Sequence, residues 1–444
     1  MPGRDVSAGR LSSERIQANF GELQPALTQL QAVDEAARCL YCYDAPCTEA
    51  CPTGIDIPGF IRAISSGNTT GAAMLILGEN IMGGTCANVC PVEELCEQVC
   101  VRNTAEERPV AIGRLQRYAT DHLFASRQQP FQRSAPTGRR VAVVGAGPAG
   151  LSCAHALALH GHEVTVFEAR DKAGGLNEYG IAAYKMLDER AAREVEFILG
   201  VGGIEVISGQ RLGEHVSLDT LRATYDAVFL GLGHNAVNRL GLANEEADGV
   251  DDAVHYIERI RQQDLGTLPV GRRVVVIGGG NTAIDVAVQA RKLGAEQVTL
   301  LYRRGREHMS ATGHEQDLAQ TQGVLIRDWA QPVAIHASDG AVTGVEFEST
   351  GLDAQGALIG LGTTFTVPAD QVFKAIGQAF VPTPFEGSEA PAMANGRITV
   401  DESGRTSLGG VWAGGDCVPG RDLTVVSVAD GKRAARSMHE FLMD

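Results

Sequence analysis

RVAVVGAGPAGLSCAHALALHGHEVTVFEAR, residues 140–170, decides the fold. It reads as strand, glycine turn, helix, strand. VAVV is a continuous apolar run of the kind buried on both faces of a parallel sheet. Gly145, Gly147 and Gly150 form G-x-G-x-x-G, with Pro148 and Ala149 inside the turn, and Glu168 closes the second strand. Turn glycines let a backbone approach a pyrophosphate. The helix N-terminus offers that group a positive dipole end, and the acid takes ribose hydroxyls. A lone glycine pattern is weak evidence. Here strand, helix, second strand and acid stand in register, so a dinucleotide site is expected. AGGLNEYGI, with Gly175 and Leu176, adds a glycine-rich loop expected to lie along the cofactor.

The unit recurs at residues 272–304, RRVVVIGGGNTAIDVAVQARKLGAEQVTLLYRR. Gly278, Gly280 and Ala283 give G-x-G-x-x-A, and Asn281 and Thr282 open the helix. The position matching Glu168 holds no carboxylate; Arg303 and Arg304 stand there instead. An acid would repel a 2′-phosphate and an arginine fork grips one, which favours NADPH over NADH. The competing reading is that both arginines are solvated surface charges. YDAVFLGLGHNA reads as a strand ending in glycines, and residues 323–377 as short strands and a hairpin. KAIGQ, with Ala375 and Gly377, and VWAGGDCVPG, with Gly415 and Asp416, are strand-to-glycine ends. Asp416 suits a carboxylate near a flavin ribityl chain. The last helix begins close by, at about Thr424, and returns the chain to the first nucleotide domain.

Eight of the ten cysteines lie between Cys39 and Cys100. Cys39, Cys42, Cys47 and Cys51 have spacing C-x2-C-x4-C-x3-C-P. Cys86, Cys90, Cys96 and Cys100 have spacing C-x3-C-P-x4-C-x3-C. A ferredoxin run also ends in C-P, and its last cysteine serves the other cluster of a pair. By that logic Cys51 belongs to a second cluster, and one cysteine of the second run to the first. Structural zinc is the alternative, but it usually pairs C-x-x-C with C-x-x-C, and the second run has none. Cys153 and Cys417 read as small core residues. Neither forms a C-x-x-C, so no dithiol stands ready near a flavin.

Around the cysteines the pattern is helical. LQPALTQLQAVDEAARC leads into Cys39. IPGFIRAISSGNTTGAAMLILGEN holds two short helices and VAIGRLQRYATDHLF a third. FASRQQPFQRSAPTGRR, polar with two prolines, is a linker. The expected class is α/β. An all-helical iron–sulfur domain (1–128) precedes two doubly wound dinucleotide-binding domains, one inserted in the other. These are an FAD-binding domain (129–240 and 378–444) and an NAD(P)H-binding domain (241–377).

Composition narrows the function. The 444 residues carry a net charge of −16, a field that disfavours nucleic acid and anionic membranes. The opening MPGRDVSAGRLSSERIQ has no apolar leader core, and no run of roughly 18 apolar residues follows. A cytoplasmic protein without a membrane span is expected. In that compartment clustered cysteines are metal or redox ligands rather than disulfides.

CLYCYDAPCTEACP, GGTCANVCPVEELC, IGRLQRYA, GAGPAGLSCA, GGGNTAIDVA and VVSVADGK together carry a resemblance spanning nearly the whole chain. The chain resembles the electron-input part of dihydropyrimidine dehydrogenase, above all the bacterial subunits of PreT type. It is more distantly similar to the glutamate synthase small subunit. The resemblance implies a first 4Fe–4S cluster on Cys39, Cys42, Cys47 and Cys100. It implies a second on Cys51, Cys90, Cys96 and Gln116, with Cys86 as the alternative fourth ligand. It implies FAD on the first glycine motif, contacted by Glu168, Leu176 and Lys185, the last at an arginine position of the family. NAD(P)H would bind the second motif, with Arg303 and Arg304 at the 2′-phosphate. A third arginine of that subsite falls at Ser310, and subunits of this kind can be NADH-linked. The implied activity passes electrons from NAD(P)H through FAD and both clusters to a catalytic FMN/iron–sulfur subunit (PreA-like) in a hetero-oligomer, which reduces uracil or thymine. The alternative is an input subunit of glutamate synthase or another reductase. A zinc-scaffolded nucleotide-binding regulator is the non-enzymatic reading.

Overall fold

The computed structural model describes residues 5–187 and 189–444. They form two compact units. One contains residues 24–178, 189–236 and 379–444, the other residues 5–23, 179–187 and 237–378.

The first unit is built on a five-stranded parallel sheet. Its order is Val411–Ala413, Ala227–Leu230, Arg140–Val144, Glu163–Phe167, Ile204–Ile207. The inner strands are apolar at nearly every position because both faces are covered. The helix Pro148–Leu159 follows the first glycine turn, and the C-terminal helix Thr424–Met443 lies against it. The approach is close enough that a Cβ on Gly431 would sit 2.1 Å from the Ala149 carbonyl oxygen.

The cysteine-bearing segment is helical, as expected, and no strand occurs in it among the described residues. Its helices include Gln29–Ala36, Ile57–Ser65, Thr69–Glu79, Gly83–Val89 and Ile112–Ser126. Their starts are set by sequence. Thr28 and Gln31 form a capping box, and Asp56 and Asn68 accept from the backbone N–H groups of Gly59 and Gly71. Phe60, Ile64, Ile76, Leu77, Leu115 and Leu123 join Val141, Val143, Leu151 and Leu157 in one continuous buried core. The helical segment and the first sheet therefore share their hydrophobic stabilisation.

The second unit repeats the parallel sheet in the order Val250–Asp252, Gln371–Lys374, Arg273–Ile277, Gln297–Leu301, Val324–Arg327. The stretch expected as short strands and a hairpin holds the short strands Val324–Arg327 and Gln371–Lys374 and, between them, a three-stranded antiparallel sheet with longer strands than expected, Ala330–Ser338, Ala341–Leu352 and Leu358–Pro368. Gly344, Gly351, Gly360 and Gly362 lie inside these strands. No helix among the described residues is long and apolar enough to cross a membrane.

Candidate functional site

Two groups of thiols form within the first unit. Cys39, Cys42, Cys47 and Cys100 line one cavity, walled by Pro46, Ile57, Pro58, Ile61, Val110 and Ile112. Burial pushes the Cys39 thiol up and the Cys47 thiol to about 11. Cys86, Cys90, Cys96 and Cys51 form the second group. The Cys86 thiol, then burial, hold the Cys90 thiol well above its ordinary range, with Cys96 and Cys51 adding to the effect. Converging thiols cannot all ionise against one another, whereas a bound cation reverses that balance and draws thiolate. Soft, partly buried donors in this arrangement fit iron–sulfur ligation. Among the described residues, no three His, Cys, Asp or Glu side chains gather around a single-ion position.

Gln116 is buried on the helix Ile112–Ser126, and its Nε2 donates to the Gly83 carbonyl at 2.7 Å. That helix is fixed at its start by two carboxylates. Glu97 accepts from Gly113 N–H at 3.0 Å and Glu35 from Ala111 N–H at 2.9 Å. The helix Gly83–Val89, which carries Cys86, is capped from a distant element. Glu194, on the helix Arg190–Leu199, accepts from Gly84 N–H at 2.8 Å, from Thr85 N–H at 3.1 Å, and from the Thr85 hydroxyl. Burial pushes the Glu194 carboxyl up to about 7. No local sequence signal marks Glu194, because its partners lie about 110 residues away.

The first glycine turn is shaped to receive a dinucleotide. Gly145 has φ +97°, and a Cβ on it would lie 2.3 Å from the Gly231 carbonyl oxygen; one on Gly150 would lie 1.9 Å from the Gly145 carbonyl oxygen. Gly174 N–H donates to the Ala146 carbonyl at 2.8 Å, and a Cβ on Gly175 would meet the Gly147 Cα at 2.7 Å. The glycine-rich loop thus lies on the turn, with Leu176 exposed beyond it. Glu168 accepts from Ala146 N–H at 2.7 Å and Arg170 N–H at 2.8 Å, holding the turn against the end of the second strand. Gly415 stands beside Ala149, a Cβ on it lying 3.0 Å from the alanine's own, and its N–H donates to Asp430 at 3.0 Å. Asp416 accepts from Ser427 at 3.4 Å, and burial raises its carboxyl. Thr424 donates to Asn177 at 3.0 Å. The structure gathers Gly145, Gly147, Pro148, Ala149, Gly150, Glu168, Gly175, Gly415, Asp416 and Thr424 around one helix start.

Lys185 belongs to the second unit, where its Nζ lies 2.8 Å from Asp285 and 2.6 Å from Glu315. There Gly278, at φ +146°, abuts Ala375, since a Cβ would fall 2.2 Å from the Ala375 carbonyl oxygen. Gly377 accepts from Asn238 N–H at 3.1 Å, and Gly280, Asn281 and Thr282 begin the helix Asn281–Leu293. Arg303 and Arg304 follow the strand Gln297–Leu301 and are exposed.

Residues 126–431 match the family described as pyridine nucleotide-disulphide oxidoreductase, and residues 16–128 match dihydropyrimidine dehydrogenase domain II, 4Fe-4S cluster. The chain belongs to the pyridine nucleotide-disulphide oxidoreductase family. It is an NAD(P)H-dependent oxidoreductase with a 4Fe–4S domain at its N-terminal side. The chain is 36% identical to the glutamate synthase [NADPH] small chain of Escherichia coli K12, over 95% of this chain and 94% of that one. It is also 36% identical to the NAD-dependent dihydropyrimidine dehydrogenase subunit PreT of Salmonella typhimurium, over 96% and 98%. FprA of Mycobacterium tuberculosis, solved in complex with NADPH, shares the fold at TM-score 0.58 and 20% identity, over 69% of this chain and 85% of that one. The family's disulphide chemistry has no dithiol here outside the two runs. Cys153 is buried against Met438, and Cys417 donates to the Leu230 carbonyl.

Proposed function

We propose that this chain is the cytoplasmic input subunit of a larger reductase. It holds FAD at the first glycine turn, NADPH or NADH at the second, and two 4Fe–4S clusters in the helical segment. Its partner is a catalytic FMN/iron–sulfur subunit of PreA type that reduces uracil or thymine to 5,6-dihydropyrimidines. The observation that carries this reading is the meeting of Cys100 with Cys39, Cys42 and Cys47 in one cavity. Two runs separated by the 34 residues 52–85 are crossed, as in paired clusters. Cys51, Cys90, Cys96 and Gln116 are the proposed holders of the second cluster, with Cys86 the competing ligand.

A flavin held there would supply hydride acceptance from a nicotinamide and one-electron release towards the clusters. The residues of this chain position the carriers. Gly145, Gly147, Gly150 and Gly175 open the backbone to a pyrophosphate, with Pro148 and Ala149 starting the helix behind it. Glu168 and Leu176 flank the adenosine side, and Asp416 and Thr424 close the flavin side beside Gly415. Gly278, Gly280, Asn281, Thr282, Ala375 and Gly377 form the second cradle, with Arg303 and Arg304 at its rim. Lys185 is retained as a flavin-side residue only on the resemblance.

Equal identity to the glutamate synthase small chain favours a second reading, the same module serving a glutamate synthase. Affinity purification from the native host separates the two. An FMN/iron–sulfur partner supports the first, and a large glutamine-hydrolysing partner sinks it.

A further inference from the structure

Asn177 stands where three segments of the first unit meet. Its backbone N–H donates to the Gly174 carbonyl at 3.2 Å, so it belongs to the glycine-rich loop that lies on the first turn. The residue is 2% exposed. Its Oδ1 accepts from the Thr424 hydroxyl at 3.0 Å, and its Nδ2 donates to the Met82 sulfur at 3.3 Å. Met82 is the corner from which the helix Gly83–Val89 starts, and its own N–H donates to Asn80 Oδ1 at 3.0 Å. The Met82 carbonyl accepts from Cys86 N–H at 2.9 Å, and the next carbonyl, of Gly83, accepts from Gln116 Nε2 at 2.7 Å. The contacts thus run unbroken from Thr424, on the flavin side, to both candidate fourth ligands of the second cluster.

Apolar packing places the same two regions side by side. Cys86 and Val425 share one buried cluster, with Cys51, Cys90 and Leu423 packed against it. Leu423 and Val425 flank Thr424 in sequence. The chemistry selects an amide at the junction. An amide donates at one end and accepts at the other, whereas a carboxylate only accepts and a leucine does neither. Thioether sulfur is a weak acceptor, so the Met82 contact acts mainly on direction. Turning the amide over would set its oxygen against a sulfur that has no proton to give.

Resting on the reading that a flavin occupies the first turn and a cluster the second thiol group, we propose that Asn177 is a positioning residue. It ties the flavin cradle to the Met82 corner and so sets how closely the two carriers are held. It has no part in accepting the hydride.

The test uses the full chain, purified anaerobically with its flavin and iron, beside Met82→Leu and Asn177→Leu. The first variant removes the sulfur acceptor and the second the whole amide, and both keep the bulk. After rapid mixing with NADPH, flavin bleaching is followed by absorbance and cluster reduction by freeze-quenched electron paramagnetic resonance. Met82→Leu leaves flavin bleaching within about twofold and slows the cluster signals roughly tenfold or more, the scale of a displacement of about 1 Å between positioned groups. Asn177→Leu slows the cluster signals likewise, and the double variant adds nothing, because both changes break one link. A second readout needs no nicotinamide. In dithionite-reduced protein, stripping the flavin shifts one cluster resonance of the unmodified chain and leaves it unmoved in Asn177→Leu. A purely structural role would lower the denaturation midpoint without separating the two steps. If Asn177→Leu cannot hold flavin, Met82→Leu decides by the same two readouts. Equal slowing of both steps, slowing of neither, or a resonance in the unmodified chain that ignores the flavin overturns the proposal. Clusters that dithionite reduces but NADPH never does, with the flavin bleached, remove the underlying reading as well.

Discussion

Gln116 Nε2 and the Gly83 carbonyl, 2.7 Å apart, tie the helix Ile112–Ser126 to the helix Gly83–Val89. The amide nitrogen is occupied by this bond, so the amide oxygen is the atom left for a metal. Thiolate is the stronger ligand, and Cys86 lies beside Cys90. The expected outcome is that Gln116→Ala loses or alters one cluster signal in electron paramagnetic resonance, while Cys86→Ala keeps the full iron content. Iron loss in Cys86→Ala, with Gln116→Ala unaffected, would exchange the two roles.

Glu194 holds the N–H groups of Gly84 and Thr85 and the Thr85 hydroxyl in a buried site. Glu194→Ala leaves these donors unmet, at a cost of about 1–3 kcal/mol. Urea denaturation should show that loss, and the resonance of the cluster beside Cys90 should shift. Glu194→Gln, which keeps an acceptor, should recover most of the stability. A stability loss with an unchanged resonance would mean that Glu194 supports the fold without touching the cluster's surroundings.

Gly150 and Gly431 make backbone-to-backbone approaches that no side chain fits, at 1.9 Å and 2.1 Å from carbonyl oxygens. Gly150→Ala pushes the first turn off the helix start and should release the flavin, read as loss of the yellow absorbance from folded protein. Gly431→Ala pushes the C-terminal helix off Ala149 and should lower the denaturation midpoint as well. Full flavin occupancy in Gly150→Ala would remove the first turn from the cofactor site.

His162 is buried, with Thr137 Oγ1 at 2.7 Å from Nδ1 and His439 Nδ1 at 2.9 Å from Nε2. Burial and then His439 lower its pKa to about 4, with His160 and Arg139 acting in the same direction and Asp226 against them. Burial alone takes His155 to about 4. The unfolded chain therefore binds protons that the folded chain refuses between about pH 6.5 and 4. The contribution of these two histidines should be intact above pH 6.5 and fall progressively below it, and the carboxyls of Glu194 and Glu97, raised to about 7 by burial, act in the opposite direction over the same range. His162→Asn should flatten that slope in urea denaturation. Identical slopes for the two proteins would show that the histidine cluster does not set the acid response.

Much of the fold was legible because it rests on local requirements. The glycine turns need positive φ or close backbone approach at Gly145 and Gly278, and capping residues such as Thr28 and Asp56 announce helix starts. The crossed cysteine group was legible as spacing combined with resemblance. Three features were not. Lys185 sits between Asp285 and Glu315 because residues 179–187 pack in the second unit, and nothing in LNEYGIAAYK records that excursion. Glu194 caps a helix more than a hundred residues away, where pairing depends on tertiary approach alone. The length of the antiparallel strands, up to the twelve residues of Ala341–Leu352, was not legible as such. At Gly360 a Cβ would run into the Glu348 carboxylate of the neighbouring strand, so the glycine there makes room and does not break the strand.

The measurement that bears most directly on the proposed input role is anaerobic purification of the full chain, with iron, sulfide and flavin counted per chain, followed by titration with NADPH under electron paramagnetic resonance. Two 4Fe–4S clusters and one FAD per chain are expected, roughly eight irons, with the flavin bleaching and cluster signals appearing as NADPH is added. A colourless protein containing zinc, or clusters that stay oxidised while the flavin is reduced, would contradict it.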